Sequence, residues 1–325
     1  CAVIARLAST SIPFAIFLDD FERIQESAVL GLVRELIDRL PQRGQLIIGS
    51  RSLPDLGLGK LRARGQLVEL EVDQLRFTMA ETTDFLFTKR KLPLTSEDLE
   101  HVHRKTEGWI AGLWLASLSL ENQRTPSDFI ERFSGASSTV ADYLAEDVLA
   151  RQPPVIRSFL LRTSILRYLN SDLCDALMPG VNSAELLRRL HAANIFLIPI
   201  KGEECSYRYH SLFADFLRLR LAQDMPEAVP DLHRAASEWY LSQERPVPAI
   251  DHALEAGDYE RTLELLIKHA RKLLSQGRMR LLARWLDNLP PERLQNHPQL
   301  QLIHVWALCF SRGPHAAMAV LQRNG

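Results

Sequence analysis

The sequence predicts a mainly α-helical protein that begins with a short α/β part. Two continuous apolar runs, at residues 13–18 and 46–49, lie near the N-terminus and are separated by a helical pattern. Beyond about residue 75, apolar residues recur at helical spacing, and strands are indicated at only one further place. The 325 residues correspond to about two domains of ordinary size.

The first apolar run ends in Asp19 and Asp20. Continuous rather than alternating hydrophobicity suits a strand that is buried on both faces, as in a parallel sheet. Apolar residues within 29–40 predict a helix, and residues 46–49 and 67–70 predict a second and a third strand. This order is typical of an α/β sheet with right-handed crossovers, so residues 1–74 are expected to form it.

Residues 75–138 predict a helical subdomain. A helix is expected over Thr78–Thr88, because Thr78 and Glu81 have the spacing of a capping box. Two more helices are expected at 95–106 and 113–120.

Residues 139–224 have the outline of a winged helix, in which short helices precede a β-hairpin. Asn182 and Glu185 predict a capping box for one of these helices. The hairpin strands are expected at 195–200 and 207–209 and are followed by a helix at 212–221.

Residues 225–325 predict paired helices without strands. Gly257, Gly277 and Gly313 mark short breaks between them. This pattern is compatible with the start of an α-helical solenoid of the TPR-like kind. Trp239, Trp285 and Trp306 are expected in its core.

The charge balance disfavours direct binding to polyanions. The chain has 39 basic and 40 acidic residues, which leaves no basic field for nucleic acid or for an anionic membrane. No apolar run reaches the roughly 18 residues of a membrane helix, so no membrane is expected. The four cysteines are far apart and lack metal-ligand spacing, which suits reduced thiols in the cytoplasm.

Acidic and basic residues follow the first two predicted strands. Asp19 and Asp20 resemble a Walker B motif, in which a strand end delivers carboxylates to hydrated Mg²⁺. Arg51 follows the second strand, where a guanidinium can meet a γ-phosphate. The alternatives are a helix cap for the acids and a surface ion pair for Arg51.

A resemblance to a known family covers nearly the whole chain. The order and spacing of its motifs are similar to those of MalT-like regulators, a branch of the LuxR-type family within the STAND class of signal-transduction ATPases. The motifs lie at residues 19–21, 46–57, 61–70, 75–78, 106–113, 209–217, 232–239 and 249–258. The resemblance implies the C-terminal half of a P-loop-type ATPase sheet, a helical lid, a winged-helix domain and the start of a TPR-like solenoid.

The resemblance also implies roles for four residues. Asp19 would bind Mg²⁺, Asp20 would polarise the attacking water, and Arg51 would sense the γ-phosphate of ATP. His210 would clamp the β-phosphate of ADP in the resting state. The alternative for His210 is a buried histidine that is hydrogen-bonded to the backbone.

The implied protein is an ADP/ATP-controlled switch. It binds a small-molecule inducer and ATP, self-associates, and activates transcription from promoter DNA through a C-terminal helix-turn-helix that this chain lacks. Such a protein would be at most a weak regulatory ATPase.

One motif of the family is missing. The pattern GxxxxGK[ST] does not occur, and the stretch 57–61 lacks the hydroxyl that binds Mg²⁺. The P-loop is therefore expected before Cys1, and the chain alone is expected to bind ATP poorly. Gly108 and Trp109 stand where related ATPases carry Gly-Leu-Pro, and a core role for Trp109 is the alternative to an adenine contact.

Two other functions compete with the switch. One is a helical scaffold for protein interactions whose α/β remnant has lost its nucleotide. The other is a winged-helix DNA reader, which the acidic wing at residues 201–204 disfavours.

Overall fold

The computed structural model describes residues 12–24, 26–121, 126–200, 202 and 205–324. These residues form a mainly helical protein with two small sheets, which agrees with the predicted fold class. The chain divides into two compact units. Unit 1 comprises residues 1–143, 185–202 and 208–212, and unit 2 comprises residues 144–184, 203–207 and 213–325. The division into domains at 1–74, 75–138, 139–224 and 225–325 stays a prediction.

The α/β part of unit 1 contains two parallel strands. Strand β1 (Phe14–Leu18) pairs with β2 (Gly44–Ile48), and helix α1 (Ser27–Asp38) lies between them in the sequence. The core of this part is formed by Phe21, Val33 and Leu56, against which apolar residues of the sheet and helix pack. The predicted order of strand, helix and strand is confirmed.

The prediction of a third strand at residues 67–70 is wrong. This stretch has an irregular backbone, and Val68 and Leu70 are exposed. Among the described residues, β1 and β2 form a two-stranded sheet and offer this stretch no partner strand. An apolar run shows only that a stretch is suited to burial, whereas strand pairing depends on a distant neighbour.

The helical part of unit 1 follows the predicted order. The capping boxes of Thr78 with Glu81 and of Thr95 with Asp98 both form. The helix expected over Thr78–Thr88 is α-helical only to Thr83 and continues as a π-helical turn, Asp84–Lys89. The α-helices are α2 (Leu58–Ala63), α3 (Val72–Leu75), α4 (Met79–Thr83), α5 (Ser96–Thr106), α6 (Ile110–Leu120), α7 (Pro126–Arg132) and α8 (Ser138–Tyr143).

The winged-helix region contributes to both units. After a π-helical turn, Leu144–Leu149, its helices are α9 (Pro154–Thr163), α10 (Ser171–Leu177), α11 (Ser183–Ala192) and α12 (Ser211–Asp224). Between α11 and α12, strands β3 (Leu197–Pro199) and β4 (Tyr207–Tyr209) form a second two-stranded sheet. Lys201, Glu203 and Glu204 of the expected wing lie outside the described residues.

The rest of unit 2 is a succession of helices. Neighbours in the sequence pack against each other, as in a solenoid. The helices are α13 (Ala228–Ser242), α14 (Pro246–Glu255), α15 (Tyr259–Ser275), α16 (Met279–Asp287), α17 (Pro291–Leu294), α18 (Pro298–Arg312) and α19 (Pro314–Asn324). None of the helices formed by described residues has the length and apolarity that a membrane span requires.

The three tryptophans expected in the solenoid core differ in burial, and Trp239 is half-buried. Trp285 is fully buried, and its Nε1 donates a hydrogen bond to Oδ1 of Asp251 over 2.7 Å. Trp306 is 50% exposed, so the expectation for it is wrong. It stacks on Phe310, and Leu302 extends the same exposed apolar stripe along α18.

Two buried histidines join α13 to α14. The Nδ1 atoms of His233 and His252 are 2.9 Å apart, so one ring donates a hydrogen bond to the other. Burial lowers the pKa of both rings to about 4, and the neighbouring charge of His252 adds to the effect on His233. Protonation of both rings would place two N–H groups head to head. The neutral pair is therefore the stable form.

We expect the stability of unit 2 to depend on pH. Because the folded pKa of each histidine, about 4, lies below the ordinary value of 6.5, the unfolded chain binds more protons in that interval. The stabilisation is complete above pH 6.5 and is lost as the pH falls towards 4, by roughly 3 kcal/mol for each ring. Urea unfolding at a series of pH values measures this loss. The variant His252→Gln should reduce the slope and the exposed His315→Gln should not; equal slopes in all three proteins would refute the explanation.

Candidate functional site

The two predicted strand-end motifs lie at the same edge of the first sheet. Because β1 and β2 are parallel and Leu18 pairs with Ile48, Asp19–Asp20 and Gly49–Arg51 leave the sheet side by side. A Cβ at Gly49 would lie 2.5 Å from Oδ1 of Asp19, so glycine leaves the room that this carboxylate occupies.

Asp19 and Asp20 are exposed at this edge. Oδ1 of Asp19 accepts the backbone N–H of Asp20 over 2.9 Å, and Asp20 has a left-handed backbone with φ 50°. Asp20 precedes a 3₁₀ turn, Phe21–Arg23, without a side-chain capping bond, which does not support the helix-cap alternative. Hard carboxylate oxygens suit a hydrated Mg²⁺. Nowhere in the described part of the chain do three or more His, Cys, Asp or Glu residues cluster for metal binding.

Arg51 contacts Glu22, which directly follows the motif at residues 19–21. Its Nε lies 3.6 Å from Oε1 of Glu22, and its backbone N–H donates to Oε2 of Glu22 over 3.2 Å. Burial raises the pKa of Glu22, but hydrogen bonds from the backbone of Glu22 and Arg51 outweigh this and lower it. The Arg51 side chain is 55% exposed. This geometry fits the ion-pair alternative and also leaves the guanidinium accessible.

A residue of the winged-helix region reaches the same strand end. Nδ2 of Asn194 donates to the backbone oxygen of Arg51 over 3.0 Å. Asn194 has a left-handed backbone with φ 51°, which asparagine adopts more readily than most residues. Sequence reasoning missed this contact because the two residues are far apart in the chain.

His210 is almost completely buried in unit 1, with 1% of its surface exposed. Its Nε2 donates to the backbone oxygen of Thr106 over 2.8 Å, and its backbone N–H donates to Phe196 over 2.9 Å. Nδ1 has no hydrogen-bond partner among the described residues. Burial lowers the pKa of His210, so the neutral ring presents Nδ1 as an acceptor. This backbone bond matches the alternative prediction for His210.

Trp109 is packed among aromatic rings beside His210. Its ring lies 4.9 Å from Phe196 and 5.8 Å from His210, both edge-on, and 5.8 Å from Tyr143. The core role that the sequence left open for Trp109 fits this arrangement. In the described residues, no hydrogen bond joins His210 to Asp19, Asp20 or Arg51.

Glu107 is a site residue that the sequence analysis missed. Its carboxylate accepts hydrogen bonds from Nη1 and Nη2 of Arg208 over 2.9 and 2.7 Å. It also accepts the backbone N–H and Oγ–H of Ser211 over 3.0 and 2.6 Å. Burial raises the pKa of Glu107, but these partners and the nearby His210 outweigh it and lower the pKa to about 2. The available signal was its place within the family motif at residues 106–113.

One region of the chain matches a known family of domains. Residues 145–229 match the family model of the MalT winged helix domain. Residues 145–229 are therefore similar to a winged-helix domain, within a mainly helical protein.

Two regulators match nearly the whole chain, whereas the family model matches only one domain. The HTH-type transcriptional regulators MalT of Serratia proteamaculans (strain 568) and of Yersinia pestis (strain Pestoides F) are each 33% identical over 296 residues. The match covers 90% of this chain and 33% of each relative, so the chain spans a third of the length of these regulators. These matches confirm the resemblance to MalT-like regulators.

A solved structure is also similar to the chain. It is the Signal Transduction ATPase with Numerous Domains (STAND) protein with a tetratricopeptide repeat sensor from Pyrococcus horikoshii. The sequences are 18% identical and the TM-score is 0.44, over 99% of this chain and 45% of that protein.

Gly108 fixes the turn between Glu107 and Trp109. Its φ is 71°, and a Cβ there would lie 2.3 Å from the backbone oxygen of Phe77. A side chain at this position would therefore strain the backbone and also displace the neighbouring segment at Phe77.

We expect Gly108→Ala to destabilise unit 1 more than Gly65→Ala does. Gly65 has a similar φ of 66° but open space around its Cβ position, so its substitution costs only the left-handed backbone term of about 1–2 kcal/mol. The steric overlap with Phe77 adds to this term at Gly108. Urea unfolding of the two variants measures the difference, and equal losses would contradict the close approach.

Proposed function

We propose that this chain is the nucleotide-switch module of a MalT-like transcriptional regulator, controlled by ADP and ATP. The observation that carries the proposal is the meeting of Asp19, Asp20 and Arg51 at the C-terminal edge of a parallel sheet. In open α/β sheets, nucleotides bind at this edge. The similarity of the chain to MalT regulators supports the same assignment.

Each residue at the edge has a distinct task in this proposal. Asp19 would hold a hydrated Mg²⁺, and Asp20 would orient the water that attacks the γ-phosphate. Mg²⁺, when bound, neutralises charge on the phosphate oxygens. Arg51 is held by Glu22, so it must exchange this carboxylate for the γ-phosphate. The pattern GxxxxGK[ST], whose backbone would cradle the phosphates, does not occur in these 325 residues.

His210 closes the resting state by contacting the β-phosphate of ADP. The neutral ring cannot donate from Nδ1, because its proton is on Nε2 and is used by Thr106. A phosphate contact at Nδ1 therefore requires a second proton. Glu107 favours that proton, since its negative charge raises the pKa of His210 against the effect of burial.

The remaining properties of the regulator are implied by the resemblance to MalT-like regulators. The whole protein would bind a small-molecule inducer, self-associate, and contact promoter DNA through a C-terminal helix-turn-helix. The relatives' name, HTH-type transcriptional regulator, supports the contact with DNA. We place it in the cytoplasm, where such a regulator meets DNA and nucleotide. Its ATPase activity would be weak and regulatory.

A protein-interaction scaffold is the second candidate. The exposed stripe of Leu302, Trp306 and Phe310 on α18 favours it, because aromatic residues at helical spacing suit contact with another helix.

We expect Asp19→Asn combined with Asp20→Asn to abolish ATP turnover in the full-length regulator. The substitutions remove the charges that hold Mg²⁺ but keep the size of exposed side chains, so the fold should persist. Phosphate release and circular dichroism measure turnover and folding. Asp73→Asn is the control, because Asp73 is 84% exposed and lies away from the strand ends. A folded double variant with unchanged turnover would overturn the proposal.

A further inference from the structure

Glu107 holds two residues that flank His210. Arg208 lies two positions before the histidine and makes a two-pronged ion pair with the carboxylate. Ser211 follows the histidine directly and donates both its backbone N–H and its hydroxyl. One carboxylate therefore fixes the chain on both sides of His210.

These hydrogen bonds belong to a strong class. Bidentate arginine–carboxylate pairs and hydrogen bonds to ionised acceptors are about twice as strong as neutral ones. The Glu107 side chain is only 15% exposed, which limits competition from water. Its oxygens also lie at the start of α12, where a negative charge is favoured by the free backbone N–H groups.

The turn that carries Glu107 is itself anchored from the other side. Nη1 of Arg76 donates to the backbone oxygen of Glu107 over 2.8 Å, and the N–H of Phe77 donates to Gly108 over 2.9 Å. Glu107 adopts a left-handed backbone with φ 50°, which is unusual for a residue with a side chain. The packed turn thus keeps the carboxylate aimed at residues 208–211.

Loss of the carboxylate would do more than remove hydrogen bonds. The guanidinium groups of Arg76 and Arg208 both face it, at 3.7 and 2.7 Å from Oε2. Without the anion between them, two positive charges would repel each other in a half-buried place. The bond from His210 to Thr106 depends on the same alignment, because Thr106 directly precedes Glu107.

We propose that Glu107 stabilises the resting state of the switch. Its hydrogen bonds to Arg208 and Ser211, which we call the latch, hold His210 against Thr106. Loss of these bonds releases residues 208–212 from the turn at Glu107. Glu107 acts as a positioning residue that controls the resting state through His210. The consequence for transcription rests on the function proposed above, whereas the latch itself is a property of unit 1.

Hydrogen exchange on the chain tests the latch without nucleotide. In Glu107→Ala, exchange at the amides of His210 and Ser211 should be at least about tenfold faster than in the parent, because charge-assisted bonds are lost. Glu107→Gln keeps an oxygen for Ser211 but not the ion pair, so it should give an intermediate rate. The control Glu69→Ala removes another bidentate pair, with Arg62, and should leave these amides unchanged. Unchanged rates in both Glu107 variants would overturn the latch.

Transcription tests the link to the switch. In the full-length regulator without inducer, we expect Glu107→Ala and Glu107→Gln to raise reporter output, as we expect of His210→Ala. The double variant with His210→Ala should give no further increase, because both residues hold the same state. If only His210→Ala is active, or if Glu107 variants exchange faster and stay silent, the latch is not the control element. If His210→Ala is also silent in a folded protein, the ADP clamp itself is refuted.

Discussion

The bonds of one carboxylate organise the candidate switch. Glu107 lies at the end of α5 and accepts four hydrogen bonds from Arg208 and Ser211, which are about a hundred positions away in the sequence. The same turn supplies the carbonyl that binds His210 and the tryptophan that packs on it. Because these groups share one short stretch of backbone, His210 cannot leave Thr106 without disturbing Glu107. The buried position of the histidine is therefore conditional on an ion pair, and an ion pair can be broken by a competing charge.

The sheet edge has a comparable arrangement on a smaller scale. Arg51 is paired with Glu22 through its side chain and bonded to Asn194 through its backbone. Asn194 and Phe196 belong to the same short segment, and Phe196 packs against both Trp109 and His210. The strand ends and the histidine are thus linked by residues 194–196 within unit 1. We infer that, if Arg51 exchanges Glu22 for another partner, the packing of residues 194–196 can transmit this change to His210.

Local patterns predicted the local structure well, and distant contacts account for what they missed. The predicted capping box of Thr78 with Glu81 forms because all its groups lie within four residues. The parallel pairing of β1 and β2 followed from two apolar runs, whereas residues 67–70 lacked a partner that no pattern could reveal. Asp19, Asp20, Arg51 and His210 were found because family motifs mark them. Glu107 lies within the family motif at residues 106–113, but that motif assigned it no role. Its importance arises from Arg208 and Ser211, whose approach is a property of the folded chain. Trp306 was misplaced for a similar reason, since helical spacing does not say which apolar face is covered.

The position of the segment around His210 depends most directly on the coupling free energy between Glu107 and Arg208. A double-mutant cycle with Glu107→Ala, Arg208→Ala and the combined variant measures this energy from urea unfolding of the chain at neutral pH. We predict a coupling of about 1–3 kcal/mol, because the pair is bidentate and largely screened from water. The same cycle at Arg62 and Glu69, a more exposed bidentate pair, should give a smaller value. A coupling near zero at Glu107 and Arg208, with both single variants folded, would contradict the claim that this carboxylate holds the segment around His210.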